Sequence, residues 1–337
     1  MTTAAPMRED DIRPKPLLDE FFRKLKTDAD RLAARRAEFV DVACPICGGA
    51  EKQHAFEKDG FPYAVCCGCG SLFASPRPAP DALADYARHS EAVEFWSTHF
   101  YRQTADARRA RIFRPRATLA ADLAHRGQVG TGGRLVDIGS GYGLFLQEIR
   151  ALETFGEVIG VEPDARLAAA CRESGFTVIE EPVERIRPGT VEADLATAFE
   201  VLEHVFDPLG FLRSCAGLLR PGGVLLFTTL TVSGFDLQVL WEESRSITPP
   251  QHLNFPSVDG IEQLIARAGL DVLAVTTPGR LDVDIVRNRI AAEPSLAIPR
   301  FARTIVHSAE PARVAFQQFL ADHRLSSHVQ CLARRPA

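Results

Sequence analysis

The residues best suited to ligand chemistry form the segment V-D-I-G-S-G-Y-G at positions 136–143. The segment joins a short apolar strand to an acid and three closely spaced glycines. Its positions of interest are Asp137, Gly139, Ser140, Gly141 and Gly143. Because glycine has no Cβ, its backbone reaches angles closed to other residues and lets a ligand approach closely. A helix predicted to begin near Leu144 adds unpaired N–H groups that favour an anionic or electron-rich group. The segment therefore predicts a nucleotide-binding turn, and the alternative is a glycine-rich turn without a ligand.

A second acidic position lies about twenty residues beyond the first glycine, where Rossmann-like folds place a carboxylate on ribose hydroxyls. The apolar stretch E-V-I-G-V-E, Glu157 to Glu162, reads as a strand that ends in this acid. Glu162 is therefore the predicted ribose ligand.

Strands and helices alternate through the rest of this region. The further predicted elements are a helix at 165–174, strands at 176–179 and 194–200, a helix at 209–219, a strand at 224–229, a helix at 257–268, and strands at 270–276 and 327–333. Asp207 and Pro208 read as the N-cap and first residue of the helix at 209–219. This alternation predicts an α/β fold with a mainly parallel sheet and helices on both faces.

Four ordered segments resemble class I S-adenosylmethionine (SAM)-dependent methyltransferases over residues 128–280. They are V-D-I-G-S-G-Y-G, V-I-G-V-E-P, E-V-L-E-H-V and L-L-R-P-G-G. The resemblance implies a Rossmann-like sheet of seven strands whose glycine loop holds the methionine end of SAM. It places the ribose on Glu162, beside Pro163, and the adenine on the backbone around Pro182 and Val183. Glu200, at the start of E-V-L-E-H-V, completes the predicted cofactor site.

Two C-x-x-C pairs predict a metal site nearer the amino terminus. The four cysteines are Cys44, Cys47, Cys66 and Cys69. Each pair can direct two thiolates at one ion, and four thiolates complete a tetrahedral Zn²⁺ shell with no open position, which makes this zinc structural. Disulfides and a redox dithiol are the alternatives, but nothing in the sequence indicates secretion. Cys67 is not one of the four predicted ligands. The remaining cysteines lie among apolar neighbours and are predicted core residues: Cys171, Cys215 and Cys331.

Two histidines are candidate general bases, because the unperturbed imidazole titrates near neutral pH. His252 lies in P-P-Q-H-L-N-F-P-S, a stretch similar to one in small-molecule methyltransferases. In sugar C-methyltransferases, which also carry an amino-terminal zinc domain, a histidine so placed is the base, and the resemblance gives His252 that role. His204 follows the strand at 194–200, at the sheet edge that binds ligands in open α/β folds. The alternatives are a hydrogen bond through which His252 staples its loop, and packing or helix capping by His204.

Composition limits the classes of partner. The chain has 337 residues, 46% hydrophobic and 25% charged, with a formal net charge of −5. We expect no membrane span, no secretory signal and a cytoplasmic location. The acidic balance gives no overall attraction to nucleic acid or to anionic membranes. Seven arginines between Arg102 and Arg126 form one basic patch, interpreted either as a solvated helical face or as a binding site for a phosphorylated acceptor.

The sequence divides into four predicted regions. Residues 1–40 form a tail and a helical arm, 41–78 the zinc ribbon, 79–127 a helical connector, and 128–337 the methyltransferase domain. Segments 231–256 and 281–325 are insertions on the acceptor side, the second mostly helical after Ala302. We expect residues 1–16 to be disordered and the arm from Leu17 to Val40 to pack on the ribbon or on a second subunit, so a homodimer is a further expectation.

The leading interpretation is methyl transfer from SAM to a small biosynthetic acceptor, carbohydrate-like or phosphorylated, as in sugar C-methyltransferases or ubiquinone-type O-methyltransferases. One alternative is an RNA base methyltransferase that uses its zinc ribbon to bind RNA. The acidic balance counts against it, and so does the sequence E-V-L-E, because it replaces the N/D-P-P-Y/F signature of amino-directed base methylases. The other alternative is a scaffold that binds SAM without turnover. The sequence does not reveal the acceptor.

Overall fold

The computed structural model describes residues 7–337 as two compact units. The first unit contains the chain up to Thr104, Leu230–Ile261 and Thr276–Val329. The second contains Ala105–Thr229, Glu262–Val275 and Gln330–Ala337. The division falls inside the predicted connector, and both predicted insertions lie in the first unit.

The strands, numbered along the chain, are β1 (Lys52–Lys58), β2 (Phe61–Cys66), β3 (Leu72–Ala74), β4 (Arg134–Ile138), β5 (Glu157–Val161), β6 (Thr177–Ile179), β7 (Ala193–Phe199), β8 (Leu219–Leu230), β9 (Asn254–Phe255), β10 (Asp271–Thr276) and β11 (His328–Arg334). The α-helices are α1 (Glu9–Ile12), α2 (Lys15–Ala33), α3 (Pro80–His89), α4 (Glu91–Phe95), α5 (Tyr101–Arg108), α6 (Arg114–His125), α7 (Leu144–Arg150), α8 (Ala165–Glu173), α9 (Pro208–Gly217), α10 (Phe235–Leu240), α11 (Val258–Arg267), α12 (Asp282–Ala292), α13 (Arg300–His307) and α14 (Glu310–Asp322).

The second unit carries a seven-stranded sheet of order β10-β11-β8-β7-β4-β5-β6. The pairs β4–β5, β4–β7, β5–β6 and β7–β8 are parallel. Strand order reverses between β4 and β7, and open α/β sheets bind ligands at such a switch point. The predicted Rossmann-like sheet of seven strands is confirmed.

Local sequence explains where two helices around this sheet begin. The carboxylate of Asp164 accepts the amides of Arg166 and Leu167 at the start of α8. Asp207 accepts the amide of Leu209 at 3.1 Å, so it caps α9 as predicted. These side chains satisfy N–H groups that a helix leaves unpaired at its first turn.

Two elements differ from the sequence prediction. Strand β8 begins at Leu219 rather than Val224, because Leu219 pairs with Ala193 and a bulge absorbs the intervening residues. Gly222 permits the bulge with a φ of 75°. The second insertion is helical from Asp282 rather than from Ala302, since α12 buries one apolar face against Leu240.

The first unit contains an antiparallel sheet of order β1-β2-β3-β9. Its fourth strand comes from the 231–256 insertion, a pairing that the sequence did not predict. Side chains of α2 pack on this sheet, where Leu32 shares a core with Phe56 and Tyr63. The predicted arm therefore lies on the ribbon of its own chain, and the homodimer stays a prediction.

The predicted disordered tail is wrong for the part that the structure describes. Residues 9–12 form α1, where the amide of Glu9 donates to Asp284, and α2 begins at Lys15. The remainder of that prediction, residues 1–6, lies outside the described residues. Between residues 7 and 337, no helix is both long enough and apolar enough to cross a membrane.

Candidate functional site

The glycine loop follows β4 in the second unit and has the backbone that its composition predicts. Gly139, Gly141 and Gly143 have φ values of 75°, 55° and 71°. A Cβ at Gly139 would lie 2.8 Å from Val201, and one at Gly143 would lie 3.0 Å from Cys171. A Cβ at Gly141 would meet no described atom within 4 Å. Packing therefore requires the outer two glycines, whereas the central one faces open space that a ligand can enter.

Two polar residues stabilise the entry to this loop. The hydroxyl of Ser140 donates to the carbonyl oxygen of Asp137 at 2.8 Å. The Asp137 carboxylate is buried and accepts the hydroxyl of Thr197 on β7 at 2.6 Å. Burial raises the pKa of Asp137 to about 7. Asp137 thus ties the loop to the neighbouring strand.

The structure brings Glu162 against the same loop. One carboxylate oxygen accepts the amide of Gly141 at 2.8 Å, and the other accepts the amide of Asp164, beyond Pro163, at 3.0 Å. Burial raises the pKa of Glu162 to about 7, although both amides favour the charged form. A carboxylate has lone pairs beyond those two, so it can also accept ribose hydroxyls.

The predicted adenine segment follows β6. Pro182 precedes a short 3₁₀ turn, Val183–Arg185, and Val183 is buried. The strand β6 pairs with β5, which ends beside Glu162. The same sheet edge therefore carries both segments.

Glu200 lies just past β7 with a φ of 57°, an uncommon angle for a residue with a side chain. Its carboxylate accepts a guanidinium N–H of Arg116 and the hydroxyl of Thr228, both at 2.7 Å. In the predicted basic patch, Arg109 and Arg114 likewise form ion pairs with Glu148. Three of the seven arginines thus bind acids of their own unit.

Sequence reasoning missed Glu203. Its carboxylate is 1% exposed and accepts the hydroxyl of Thr229 at 2.7 Å. Burial, with the nearby charge of Glu200, raises the pKa of Glu203 to about 8. The only signal in the sequence was that Glu203 is the second acid of E-V-L-E-H-V. Its raised pKa comes from burial, which a single sequence does not reveal.

The two candidate histidines belong to different units. His204 lies exposed in the turn after β7, where its amide donates to Val201. Asp207 occupies the N-cap position of α9.

His252 lies in the first unit and is half-buried. Its Nδ1 lies 2.6 Å from the carbonyl oxygen of Ser246, which can only accept, so Nδ1 carries the proton in the neutral ring. Nε2 is then the basic nitrogen. The backbone carbonyl of His252 accepts the hydroxyl of Tyr63 at 2.7 Å. The hydrogen bond that the loop-staple interpretation needs is present, and it also fixes the tautomer that a general base needs.

Four cysteine sulfurs meet at the ribbon of the first unit. All lie within 4.8 Å of one another, with 3.6 Å between Cys44 and Cys69 and 3.4 Å between Cys47 and Cys66. None forms a disulfide. Tetrahedral Zn–S bonds of about 2.3 Å require S···S separations of about 3.8 Å, close to these distances. The cluster therefore fits a tetrahedral metal ion.

The cysteines outside the cluster lie in two kinds of environment. Cys67 is exposed, while Cys171, Cys215 and Cys331 are buried, as the sequence predicted.

Comparison with known proteins identifies the family. A family described as a methyltransferase domain matches residues 101–275, slightly more than half of the chain. A ubiquinone biosynthesis O-methyltransferase of Cereibacter sphaeroides is 34% identical over 152 residues, which cover 41% of this chain and 60% of that protein. An enzyme of the same name from Methylococcus capsulatus is 28% identical over 184 residues, 48% of this chain and 76% of that one. The chain thus spans well under the full length of these relatives.

Two solved structures to which the chain is similar are named as methyltransferases. A SAM-dependent methyltransferase from Mesorhizobium loti has a TM-score of 0.43 and 19% identity, over 65% of this chain and all of that one. The plantazolicin methyltransferase BamL has a TM-score of 0.49 and 11% identity, over 76% of this chain and 94% of that one. The family match covers more than half of the chain, and the motifs and the strand order agree with it: this chain belongs to the methyltransferase domain family.

Proposed function

We propose that this chain transfers the methyl group of SAM to a hydroxyl of a small biosynthetic acceptor, with His252 as the general base and one structural zinc ion in the ribbon. The observation that supports the proposal most strongly is the hydrogen bond from the glycine loop, at Gly141, to the Glu162 carboxylate. Oxygen is favoured over carbon because the relatives from Cereibacter sphaeroides and Methylococcus capsulatus are named O-methyltransferases.

The second unit provides the proposed cofactor site. Gly139, Ser140, Gly141 and Gly143 would hold the methionine end, because Gly141 faces open space and α7 begins directly beyond the loop. Glu162 would accept the ribose hydroxyls, and the backbone at Pro182 and Val183 would contact the adenine. Asp137, Pro163 and Glu200 would line the site. SAM supplies a methyl group on a positively charged sulfur, and the protein aligns the acceptor with it.

His252 would remove the proton that the acceptor hydroxyl loses. The carbonyl of Ser246 holds the Nδ1 proton, so Nε2 would receive the proton from the acceptor oxygen as the oxygen–methyl bond forms. His204, exposed beyond β7, is the second candidate for this role. Variants that remove one imidazole at a time distinguish the two.

The four-cysteine cluster would hold Zn²⁺. Four thiolates leave no coordination position for a substrate or a water, so the ion would stabilise the ribbon and take no part in methyl transfer. Gly48 and Gly70, with φ values of 82° and 71°, each close one of the two cysteine loops and support this arrangement.

Calorimetric titration with SAM, followed by mass spectrometry of hydroxylated acceptors incubated with SAM and protein, tests the proposal. We expect saturable binding of one SAM per chain and an acceptor product heavier by one methylene. Absence of SAM binding to folded protein would overturn the proposed function.

A further inference from the structure

The zinc ribbon and the segment that carries His252 share a sheet. Strand β3 of the ribbon pairs antiparallel with β9, so that Leu72 faces Phe255 and Phe73 faces Asn254. The amide of Ala74 adds a hydrogen bond to the carbonyl of Leu253, directly after His252. The ribbon is therefore a support for this segment within the first unit and not a separately folded module.

One metal-binding cysteine connects to the same segment through two serines. The sulfur of Cys69 lies 3.2 Å from the hydroxyl oxygen of Ser71, which accepts the amide of Ser257 at 2.9 Å. When Cys69 is a thiolate, its sulfur only accepts, so Ser71 must donate to it. A hydroxyl has one proton and two lone pairs, and Ser71 can therefore serve both neighbours at once.

Ser257 closes the connection from the other side. Its hydroxyl donates to the carbonyl oxygen of Cys69 and accepts the amide of Gly260 at 2.9 Å, so it also caps α11. A Cβ at Gly260 would lie 2.6 Å from the Ser71 hydroxyl and 2.8 Å from that of Ser257. Glycine is thus required where the helix approaches the cysteine loop.

A third contact reaches His252 itself. Tyr63 of β2 is completely buried and donates its hydroxyl to the carbonyl of His252 at 2.7 Å. The carbonyl of Ser246 restrains the imidazole ring of His252 at Nδ1. Contacts from the ribbon therefore restrain this segment at two points, which are the carbonyl of His252 and, beyond β9, Ser257.

We propose that Ser71 and Ser257 are positioning residues that couple the four-cysteine site to the His252 segment, so that metal binding orders the residue proposed as the base. This inference rests on the proposed function for the metal ion at the four cysteines and for the role of His252 in catalysis. The hydrogen bonds that join Cys69, Ser71 and Ser257 act as an outer shell of the metal site, and such partners orient the groups attached to them.

Hydrogen–deuterium exchange of the full chain tests the coupling without an activity assay. In Ser71→Ala and in Ser257→Ala, we expect the amides between His252 and Ser257 to exchange about tenfold faster, because each variant removes restraints on that segment. Exchange at the glycine loop, residues 139–143, should not change. Ser257→Thr keeps a capping hydroxyl and should restore slow exchange.

Ser75→Ala is the matched control. Ser75 is a buried ribbon serine whose hydroxyl binds Asp41 and Lys52 instead of the cysteine loop. Exchange between residues 252 and 257 should stay slow in this variant.

The turnover rate separates this inference from the proposed function. We expect Ser257→Ala to lower kcat at least fivefold while the Kd for SAM stays unchanged, and Ser257→Thr to recover kcat. Unchanged exchange at residues 252–257 in both alanine variants would overturn the coupling. Faster exchange with normal kcat would support the coupling and overturn the role of His252 as the base.

Discussion

The amide of Gly141 donates a 2.8 Å hydrogen bond to the Glu162 carboxylate, so the centre of the glycine loop is tied to the acid at the end of the next strand. The loop supplies conformational freedom and open space, whereas the acid supplies charge and hydrogen-bond acceptors. Because one hydrogen bond joins the loop to the acid, protonation of Glu162 affects both the loop and the acceptors that the acid offers to a ligand.

The affinity for SAM should therefore depend on pH near neutrality. Burial raises the pKa of Glu162 to about 7, and the protonated acid is a poorer acceptor for Gly141 and for ribose hydroxyls. We expect the Kd for SAM to fall several-fold between about pH 6 and pH 8, as Glu162 loses its proton. Calorimetry across this range measures the effect. Glu162→Gln should bind SAM weakly, and its Kd for SAM should not change with pH. If the Kd of this variant still depends on pH, the titrating group is Asp137 instead.

Gly141→Ala should weaken SAM binding at least tenfold, because the new Cβ enters the space left for the ligand. Gly189→Ala is a matched control, since Gly189 also has a positive φ, 80°, and an open Cβ position. Both variants should lose about 1–2 kcal/mol of stability from the left-handed backbone. Equal SAM affinity in the two variants would contradict the loop assignment.

His252→Asn should lower kcat by about 10² to 10⁴, the range for loss of a general base, and leave the Kd for SAM unchanged. The asparagine amide nitrogen takes the place of Nδ1, so it can still donate to the carbonyl of Ser246, but it cannot take up a proton. This variant therefore separates catalysis from stapling of the loop. His204→Asn is the comparison, and a larger loss of kcat there would transfer the role to His204.

Cys66→Ser should abolish stoichiometric zinc binding and lower the melting temperature, because the ribbon loses one of four thiolates. The adjacent variant Cys67→Ser should keep one zinc per chain, since Cys67 is exposed and outside the cluster. Atomic emission spectroscopy measures the metal content. If the two variants lost zinc equally, the four-thiolate assignment would be wrong.

Asp236→Asn should stabilise the protein increasingly as pH rises. Complete burial and the neighbouring charge of Asp282 raise the pKa of Asp236 well above its ordinary value. The folded state then holds a proton that the unfolded state releases, so the wild type loses stability as pH rises above the ordinary aspartate pKa. Asparagine removes this dependence. Melting temperatures of both proteins between about pH 5 and pH 8 should diverge, and a difference that is constant or shrinks would contradict the prediction.

Features that depend on neighbouring residues were predictable from the sequence. The glycines at 139, 141 and 143 and the cap formed by Asp207 and Pro208 depend on local backbone geometry. The strands that alternate with these helices then determined the sheet. The cysteine cluster was predictable because each pair needs only a short loop.

Features that depend on distant contacts were not predictable. The pairing of Asn254–Phe255 with Leu72–Phe73 joins segments about 180 residues apart, and a two-residue strand has no periodicity of its own. The burial of Glu203 depends on its whole surroundings, so its raised pKa has no local signature. Helix α12 was missed in part because its apolar face matches a surface that only the fold creates.

Native mass spectrometry of the full chain, titrated with SAM, tests the proposed cofactor and zinc sites together. We expect a species that carries one zinc ion and one SAM molecule, and we expect Gly141→Ala to keep the zinc but lose the SAM at the same ligand concentration. Folded wild-type protein that holds zinc but forms no SAM complex would contradict the proposed cofactor site.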